Sequence, residues 1–273
     1  MKTFKIGGVH PHDSKISKDC AIEDFPVLEK AYLSMAQHLG APAEPIVQKG
    51  DKVKVGQLIA KPTGFVSANI HSSVSGTVAA VEPYADLAGN PVMHVIIDVE
   101  GDEWEESIDR TPDVVRDITL SKEEIIKRIQ DCGIVGLGGA SFPTHIKLTP
   151  PPGKVAEYLL INGAECEPFL TSDYRLMIEQ PEQVLIGAKI MMKALDVKKC
   201  RFGVEENKPE AIAKLKSFSA QYPEIEIVPL KKKYPQGGEK QLIEALTGRR
   251  VPSMGLPIDA GAVVQNCGTA LAV

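Results

Sequence analysis

With 273 residues, 43% of them hydrophobic, the chain can bury one large core or two of ordinary size. A net charge of −5, with a single short basic run at Lys231-Lys232-Lys233, excludes the concentrated basic face that nucleic-acid binding needs. No apolar stretch reaches the roughly 18 residues of a membrane span, and "MKTFKIGGVHPHDSK" lacks a signal-peptide core, so the expectation is a cytosolic chain whose membrane role comes through partners.

Residues 1–105 are rich in Val, Gly and Pro. "EPIVQKGDKVKVGQLIAKPTG", "ANIHSSVSGTVAAVEP" and "HVIIDVE" predict short strands broken by Gly-containing turns. One helix is expected near "FPVLEKAYLSM". Residues 106–120 are polar and predict a linker. From Ser121 the pattern alternates between helices and strands. Ser121 and Glu124 form a capping box ahead of Ile125, Ile126 and Ile129. "VAEYLLINGA" predicts a buried strand. Pro181 opens a helix with Val184, Leu185, Ala188, Met191, Met192 and Leu195 on its apolar side. "CRFGVEE", "IEIVPLK" and "GAVVQN" predict strands. Between them, Asn207 is expected to cap one helix, with Glu210 reaching back, and Gly248 to close another.

This alternation implies an α/β layer fold with a largely parallel sheet over 121–273. Ligands of such sheets sit beyond the carboxyl ends of the strands. Three segments fall there. "GLGGASFPTHIKL" offers Gly136, Gly138 and Gly139, whose backbone N–H groups can approach a phosphate, with Phe142 as a flat surface and Lys147 as a cation. By itself the segment fits a phosphate cradle or a plain turn. "INGAECEPFLTSDYRL" places Asn162, Glu165 and Glu167 at a strand exit. Asn offers a donor and an acceptor, and the carboxylates can accept from a ribose. The same segment also fits a helix start capped by Thr171, Ser172 or Asp173. "YPQGGEKQL" and "VVQNCGTAL" put Gly238 and Glu239 at a helix start, and Asn266 and Thr269 after the last strand. Glu205, Glu206 and Lys208 leave a further strand and read either as site neighbours or as a solvated helix start.

Other features carry less. Cysteines 20, 132, 166, 200 and 267 show no C-x-x-C spacing, so reduced, mostly buried thiols are expected rather than metal ligands. His10 and His12 could share a strand face, without an evident third ligand.

Taken in order, "GLGGASFPTHIKL", "INGAECEPFLTSDYRLM", "GGEKQLIEALTGRRVP" and "VVQNCGTALAV" resemble RnfC, a component of the Rnf ion-translocating electron-transport complex. They are more distantly similar to the NADH-binding flavoprotein subunit of complex I. "GGVHPHDSK", "QHLGAPAEPIVQKGDKVKVGQLIA" and "HSSVSGTVAAV" extend the Rnf resemblance over nearly the whole chain. It implies an N-terminal barrel-sandwich hybrid module of lipoyl/biotinyl type. An α/β domain binding FMN and NAD(H) follows. Lys61 lacks the Met-Lys context of a carrier lysine, so the module is expected to be structural or docking.

Carried over by resemblance, Gly136, Gly138 and Gly139 would lie along flavin and dinucleotide, and Phe142 would stack on adenine. Lys147 would contact FMN, with Asn162 and Glu165 on the isoalloxazine and NADH side and Glu167 among the cofactor-binding residues. Gly238 and Glu239 match the pair near the flavin, and Asn266 and Thr269 the segment near its phosphate and ribityl chain. Leu137, Ser141, Ala164 and Lys240 depart from the complex I pattern, which has arginine, glycine, aspartate and glutamate there.

The resemblance further implies a peripheral subunit of a membrane-bound ferredoxin:NAD+ oxidoreductase, at the cytoplasmic face of the inner membrane. Its partners would be the other subunits and, indirectly, ferredoxin. Two [4Fe–4S] clusters and a β-grasp domain are expected beyond "GTALAV", in a chain truncated here. A non-catalytic assembly subunit of the sodium-pumping NADH:quinone reductase, and a cobalamin-reducing flavoprotein, are the alternatives.

Overall fold

The computed structural model describes all 273 residues except Leu87. The chain divides into two compact units: 23–114 with 127–146, and 1–22 with 115–126 and 147–273. Residues 1–22 thus group with the α/β elements, not with the strands that follow them.

The first unit is a pair of antiparallel sheets. Its strands are β1 (Lys30–Ser34), β2 (Glu44–Pro45), β3 (Lys52–Val53), β4 (Leu58–Lys61), β5 (Ile70–His71), β6 (Gly76–Ala85) and β7 (Pro91–Val99). One sheet runs β1-β7-β6-β3 and the other β2-β4-β5. Alternation along each strand sends Val53, Ile59, Val78, Val95 and Ile97 to one shared core with Met35, Ala43, Ala60 and Ile70. The helix expected at "FPVLEKAYLSM" is absent. Residues 30–34 form β1 instead, pairing antiparallel with β7 from Lys30 opposite Asp98 to Ser34 opposite His94. Phe25, Val27 and Leu28 stay exposed. The ladder offered by β7, distant in sequence, outweighs a short local helical pattern.

Helix α1 (Lys122–Asp131) opens with the expected box: Ser121 N donates to Glu124 Oε2 at 2.7 Å, and Glu124 N to Ser121 Oγ at 3.3 Å. The short helix α2 (Thr144–Lys147) leads into the second unit. There, β8 (Tyr158–Gly163), α3 (Ser172–Glu179), α4 (Pro181–Leu195), β9 (Cys200–Glu205), α5 (Pro209–Ser219), β10 (Ile225–Leu230), α6 (Glu239–Thr247), β11 (Ala262–Asn266) and α7 (Cys267–Ala272) follow one another. All four strands are parallel, in the order β10-β9-β8-β11. Leu160, Val228 and Val264 share a core cluster with Leu242, Ile243 and Leu246 of α6. Strand alternation turns the equally buried Leu159, Ile161 and Val263 to the opposite face. Every predicted apolar position of α4 is buried, the Met191–Met192 pair included.

Asn207 does not cap α5. Lys208 holds the N-cap position without a side-chain capping bond, and Asn207 Nδ2 donates to Asp13 Oδ2 at 3.1 Å. Glu210 accepts from the Tyr174 hydroxyl rather than reaching back.

Helix α4 ends on Asp196, in the left-handed region at φ 55°, ψ 40° and exposed. That conformation costs an L-residue about 1–2 kcal/mol, and glycine avoids it at some entropic loss. Asp196→Gly is expected to raise stability by about 0.5–1 kcal/mol, read as a higher denaturant midpoint at unchanged slope. A lower midpoint would contradict the left-handed cap.

Candidate functional site

The strand order dictates where to look. From β8 the chain steps outward to β9 and β10, then returns through α6 to place β11 on the other side of β8. The reversal makes a crevice at the carboxyl ends of β8 and β11, where parallel α/β sheets hold ligands. Asn162 and Asn266 are register partners at that point. Neither amide is idle. Asn162 Nδ2 donates to Gly237 O at 2.9 Å, and its Oδ1 accepts from Ala164 N at 3.1 Å. Asn266 Oδ1 accepts from Gly268 N at 2.8 Å and Thr269 N at 3.3 Å, while its Nδ2 donates to Asp173 Oδ2 at 2.7 Å. The pair rivets the loop after β8, the start of α6 and the start of α7 to one place. Thr269 lies fully buried within α7.

Lys147 reaches the same end of the sheet. Its Nζ donates to Glu239 Oε1 at 2.7 Å and to Val264 O at 3.0 Å. Gly238 is the N-cap of α6 and Glu239 its first residue, so the carboxylate lies against the positive end of the helix. A Cβ at Gly238 would come within 2.6 Å of Gln241 Oε1.

Beyond β8 stands Glu165, buried and in the left-handed region at φ 47°. Its Oε1 accepts from Asp173 N at 2.8 Å. Its Oε2 is buried and has no hydrogen bond; the nearest cation is Lys15 Nζ at 3.7 Å. Burial pushes its carboxyl above the usual carboxylate range, and the Lys15 charge offsets part of that. Glu167 is exposed. Glu205 and Lys208, read as possible members of a solvated helix start, are instead 1% and 2% exposed. Burial raises the Glu205 carboxyl and lowers the Lys208 ammonium. Lys208 Nζ donates to Ala164 O at 2.7 Å, which makes it part of the support under the β8 loop. Glu206 alone of that trio is exposed.

Gly136, Gly138, Gly139 and Phe142 belong to the unit of β1–β7. Val135 and Pro143 pair across the loop neck, and Gly136 N donates to Phe142 O at 2.9 Å. The loop between is exposed at Gly138 and Gly139 and half-buried at Phe142. Among the described residues, the N–H groups of Gly138, Gly139 and Ala140 find no acceptor. Ser141 sits at φ 51°, a conformation that suits glycine.

Residues 129–273 match the family described as the Nuo51 FMN-binding domain, and residues 2–102 match the RnfC barrel sandwich hybrid domain. The chain belongs to the Nuo51 FMN-binding domain family. This FMN-binding domain and the module before it are 48% identical, over 275 residues and all of this chain, to the C subunit of the proton-translocating ferredoxin:NAD(+) oxidoreductase complex of Clostridium ljungdahlii. They are 46% identical over 269 residues, 98% of this chain, to the Na(+)-translocating counterpart of Acetobacterium woodii. The chain spans 59% and 60% of the length of those two relatives. A solved NAD+-reducing [NiFe]-hydrogenase in the air-oxidized state is similar at 26% identity and a TM-score of 0.48, covering 56% of this chain and 30% of that one. The resemblance to RnfC read from the motifs holds, as does the reading of a barrel-sandwich module followed by an FMN-binding domain.

The residues present in this FMN-binding domain fit its cofactor. Free backbone donors in an exposed glycine loop suit a phosphate. The orphaned Glu165 Oε2 lacks the donor that a ribose hydroxyl or ring N–H would supply. His10 and His12 show no comparable purpose: His10 Nδ1 lies 3.1 Å from Lys232 O, and His12 Nδ1 accepts from Asp13 N. No helix among the described residues is long and apolar enough to cross a membrane.

Sequence reasoning missed Lys15 and undervalued Asp173. Asp173 appeared only as a candidate cap, whereas it joins Glu165 to Asn266. The spacing of "TSDY" holds no signal for that; only the adjacency of β8 and β11 creates it.

Proposed function

We propose that the chain binds FMN and NAD(H) as part of a peripheral electron-transfer subunit. The parent assembly would be a membrane-bound, ion-translocating ferredoxin:NAD+ oxidoreductase at the cytoplasmic face of the inner membrane. The observation that carries this reading is the crevice between β8 and β11, where paired asparagines hold the loop after β8 and the starts of α6 and α7, and one buried carboxylate oxygen is left without a donor. The identity to the two ferredoxin:NAD(+) oxidoreductase relatives, over nearly all of this chain, supports the setting.

Each residue has a task in this reading. The amides of Gly138 and Gly139 donate to phosphate oxygens, and Phe142 offers a stacking surface. Lys147, steadied by Glu239 and Val264 O, supplies positive charge near the flavin. Asn162 and Asn266 act mainly on the backbone, since their bonds are largely spent within the protein, and Thr269 is held with them. Glu165 accepts from the ligand through Oε2, while Glu167 and Gly238 border the opening. When bound, FMN would take the hydride of NADH as an electron pair and release the electrons one at a time. Onward transfer is assigned to two [4Fe–4S] clusters outside these residues, whose five cysteines show no cluster spacing. The other subunits of the complex, and through them ferredoxin, are the partners.

Anaerobic titration with FMN tests this. The expected product is a yellow protein whose absorbance bleaches on adding NADH. A folded chain that holds no FMN would defeat the flavin reading. Flavin retained but unbleached would defeat the dinucleotide half.

A further inference from the structure

The N-terminal segment runs across the carboxyl ends of the parallel sheet. Lys2 bridges Leu230, and Val9 exchanges two backbone bonds of 2.8 Å with Tyr234. Phe4 is buried, with Lys233 Nζ 4.0 Å above its ring. Asp13 then meets Asn207, Ser17 Oγ lies 2.7 Å from Thr171 Oγ1, and Arg175 Nη1 donates to Lys18 O. The segment is therefore a belt, tied at each step to loops that follow β8, β9 and β10.

Lys15 also points inward from that belt. Its side chain is only 10% exposed. Its Nζ donates to Glu165 O at 2.8 Å, Glu167 O at 2.8 Å and Leu170 O at 2.5 Å. Three carbonyls use all three protons of an ammonium, a geometry that a planar guanidinium cannot copy. The same charge stands 3.7 Å from Glu165 Oε2. The loop it grips needs gripping. Glu165 is held in the left-handed region, a strained conformation that persists only where the surroundings enforce it. Lys208 Nζ also takes Ala164 O at 2.7 Å and Glu165 O at 3.4 Å. Asp173 N fixes Oε1 of Glu165, leaving Oε2 as the oxygen without a bond.

We propose that Lys15 is a positioning residue of the nucleotide site. It clamps the 165–170 loop onto the sheet and so fixes the free oxygen of Glu165 toward ligand, which makes the N-terminal belt a working part of the α/β unit. The loop clamp stands on geometry alone; its consequence for NADH rests on the flavin reading given above.

Lys15→Met removes the three donors and keeps the unbranched apolar stem of the side chain. Amide hydrogen exchange of the ligand-free chain is the first readout. Exchange over 165–173 is expected to rise by roughly tenfold or more, with β9, β10 and α6 unchanged. The second readout is NADH oxidation by the FMN-loaded protein with ferricyanide as acceptor. KM for NADH is expected to rise roughly tenfold with kcat within about threefold, because a ground-state contact is loosened and no reacting group is lost. Unchanged exchange at 165–173 would overturn the clamp. Raised exchange with an unchanged KM, or a fall in kcat alone, would overturn the positioning role. A wild-type chain that binds no FMN would overturn the flavin reading, while the exchange result still decides the clamp. If the methionine variant does not fold, Lys15→Arg is measured in the same way: partial loosening at 165–173 supports the three-carbonyl grip, and wild-type exchange refutes it.

Discussion

Gly139→Asp is expected to weaken flavin binding roughly 100-fold while leaving the fold intact. The two halves of that expectation have separate causes. A Cβ built at Gly139 meets nothing within 4 Å, and the backbone there does not lie in the left-handed region. The residue is exposed. A side chain can therefore be added with a stability change within about 0.5 kcal/mol, as for surface positions generally. The cost falls on the ligand. The neighbouring N–H groups of Gly138 and Ala140 have no acceptor in the protein, and an aspartate carboxylate would both compete for them and repel a phosphate. Two unit charges about 4 Å apart interact by about 4 kcal/mol at the effective dielectric of a protein surface. Screening by salt at an exposed loop reduces this to about 3 kcal/mol, or roughly 100-fold in Kd. Flavin fluorescence titration reads the affinity, and thermal unfolding reads the fold. Gly139→Ala adds bulk without charge and is expected to weaken FMN less than the aspartate does. Equal affinity of wild type and aspartate variant would return the loop to a plain turn.

The parts of the fold that were legible in the sequence are those set by short-range pattern. The apolar rhythm from Val184 to Leu195 is the buried side of α4, Pro181 is its first residue, and Gly248 closes α6 at φ 75°. The Ser121–Glu124 box is formed as written. Long-range pairing defeated the local reading in three places. Residues 30–34 became a strand because β7 supplied a ladder. Asn207 abandoned its capping role for Asp13, a partner 194 residues away. Glu205 and Lys208 look like a solvated turn in "VEENKP", yet the belt of residues 1–22 crosses the same end of the sheet and they are buried there.

The same distinction applies to the candidate site. The residue types were readable, because amides, carboxylates, glycines and one lysine after strands suggest polar recognition. Their division of labour was not. Asn162 and Asn266 read as ligand contacts, but most of their bonding capacity holds backbone in place. The unsatisfied carboxylate oxygen is Glu165 Oε2, and Lys15, 150 residues earlier in the chain, stands 3.7 Å from it. Spacing within a motif cannot encode a partner that distant.

Gly187→Ala is expected to destabilise the α/β unit by about 3 kcal/mol. Glycine in the middle of a helix costs about 1 kcal/mol relative to alanine, so its presence inside "VLIGAKIMM" needs a compensating reason. The reason is contact between backbones. A Cβ at Gly187 would lie 1.7 Å from Ala270 O and 2.6 Å from Ala270 C. These atoms belong to α7, and no rotamer change can move them aside. Helix α7 must shift as a body or the two helices must part. Overpacking of this kind costs about 3 kcal/mol, toward the upper end of its usual range, and the gain in helix propensity offsets only part. For a chain of this size that is a fall in Tm of roughly 5 °C. The displacement would also be felt at the crevice. Asn266 caps α7 through Gly268 N and Thr269 N, so a shifted helix drags the cap away from Asp173. Gly187→Ala should therefore lose stability and flavin affinity together, whereas Gly139→Asp loses affinity alone. A Gly187→Ala protein with wild-type Tm would show that α4 and α7 do not meet at this glycine.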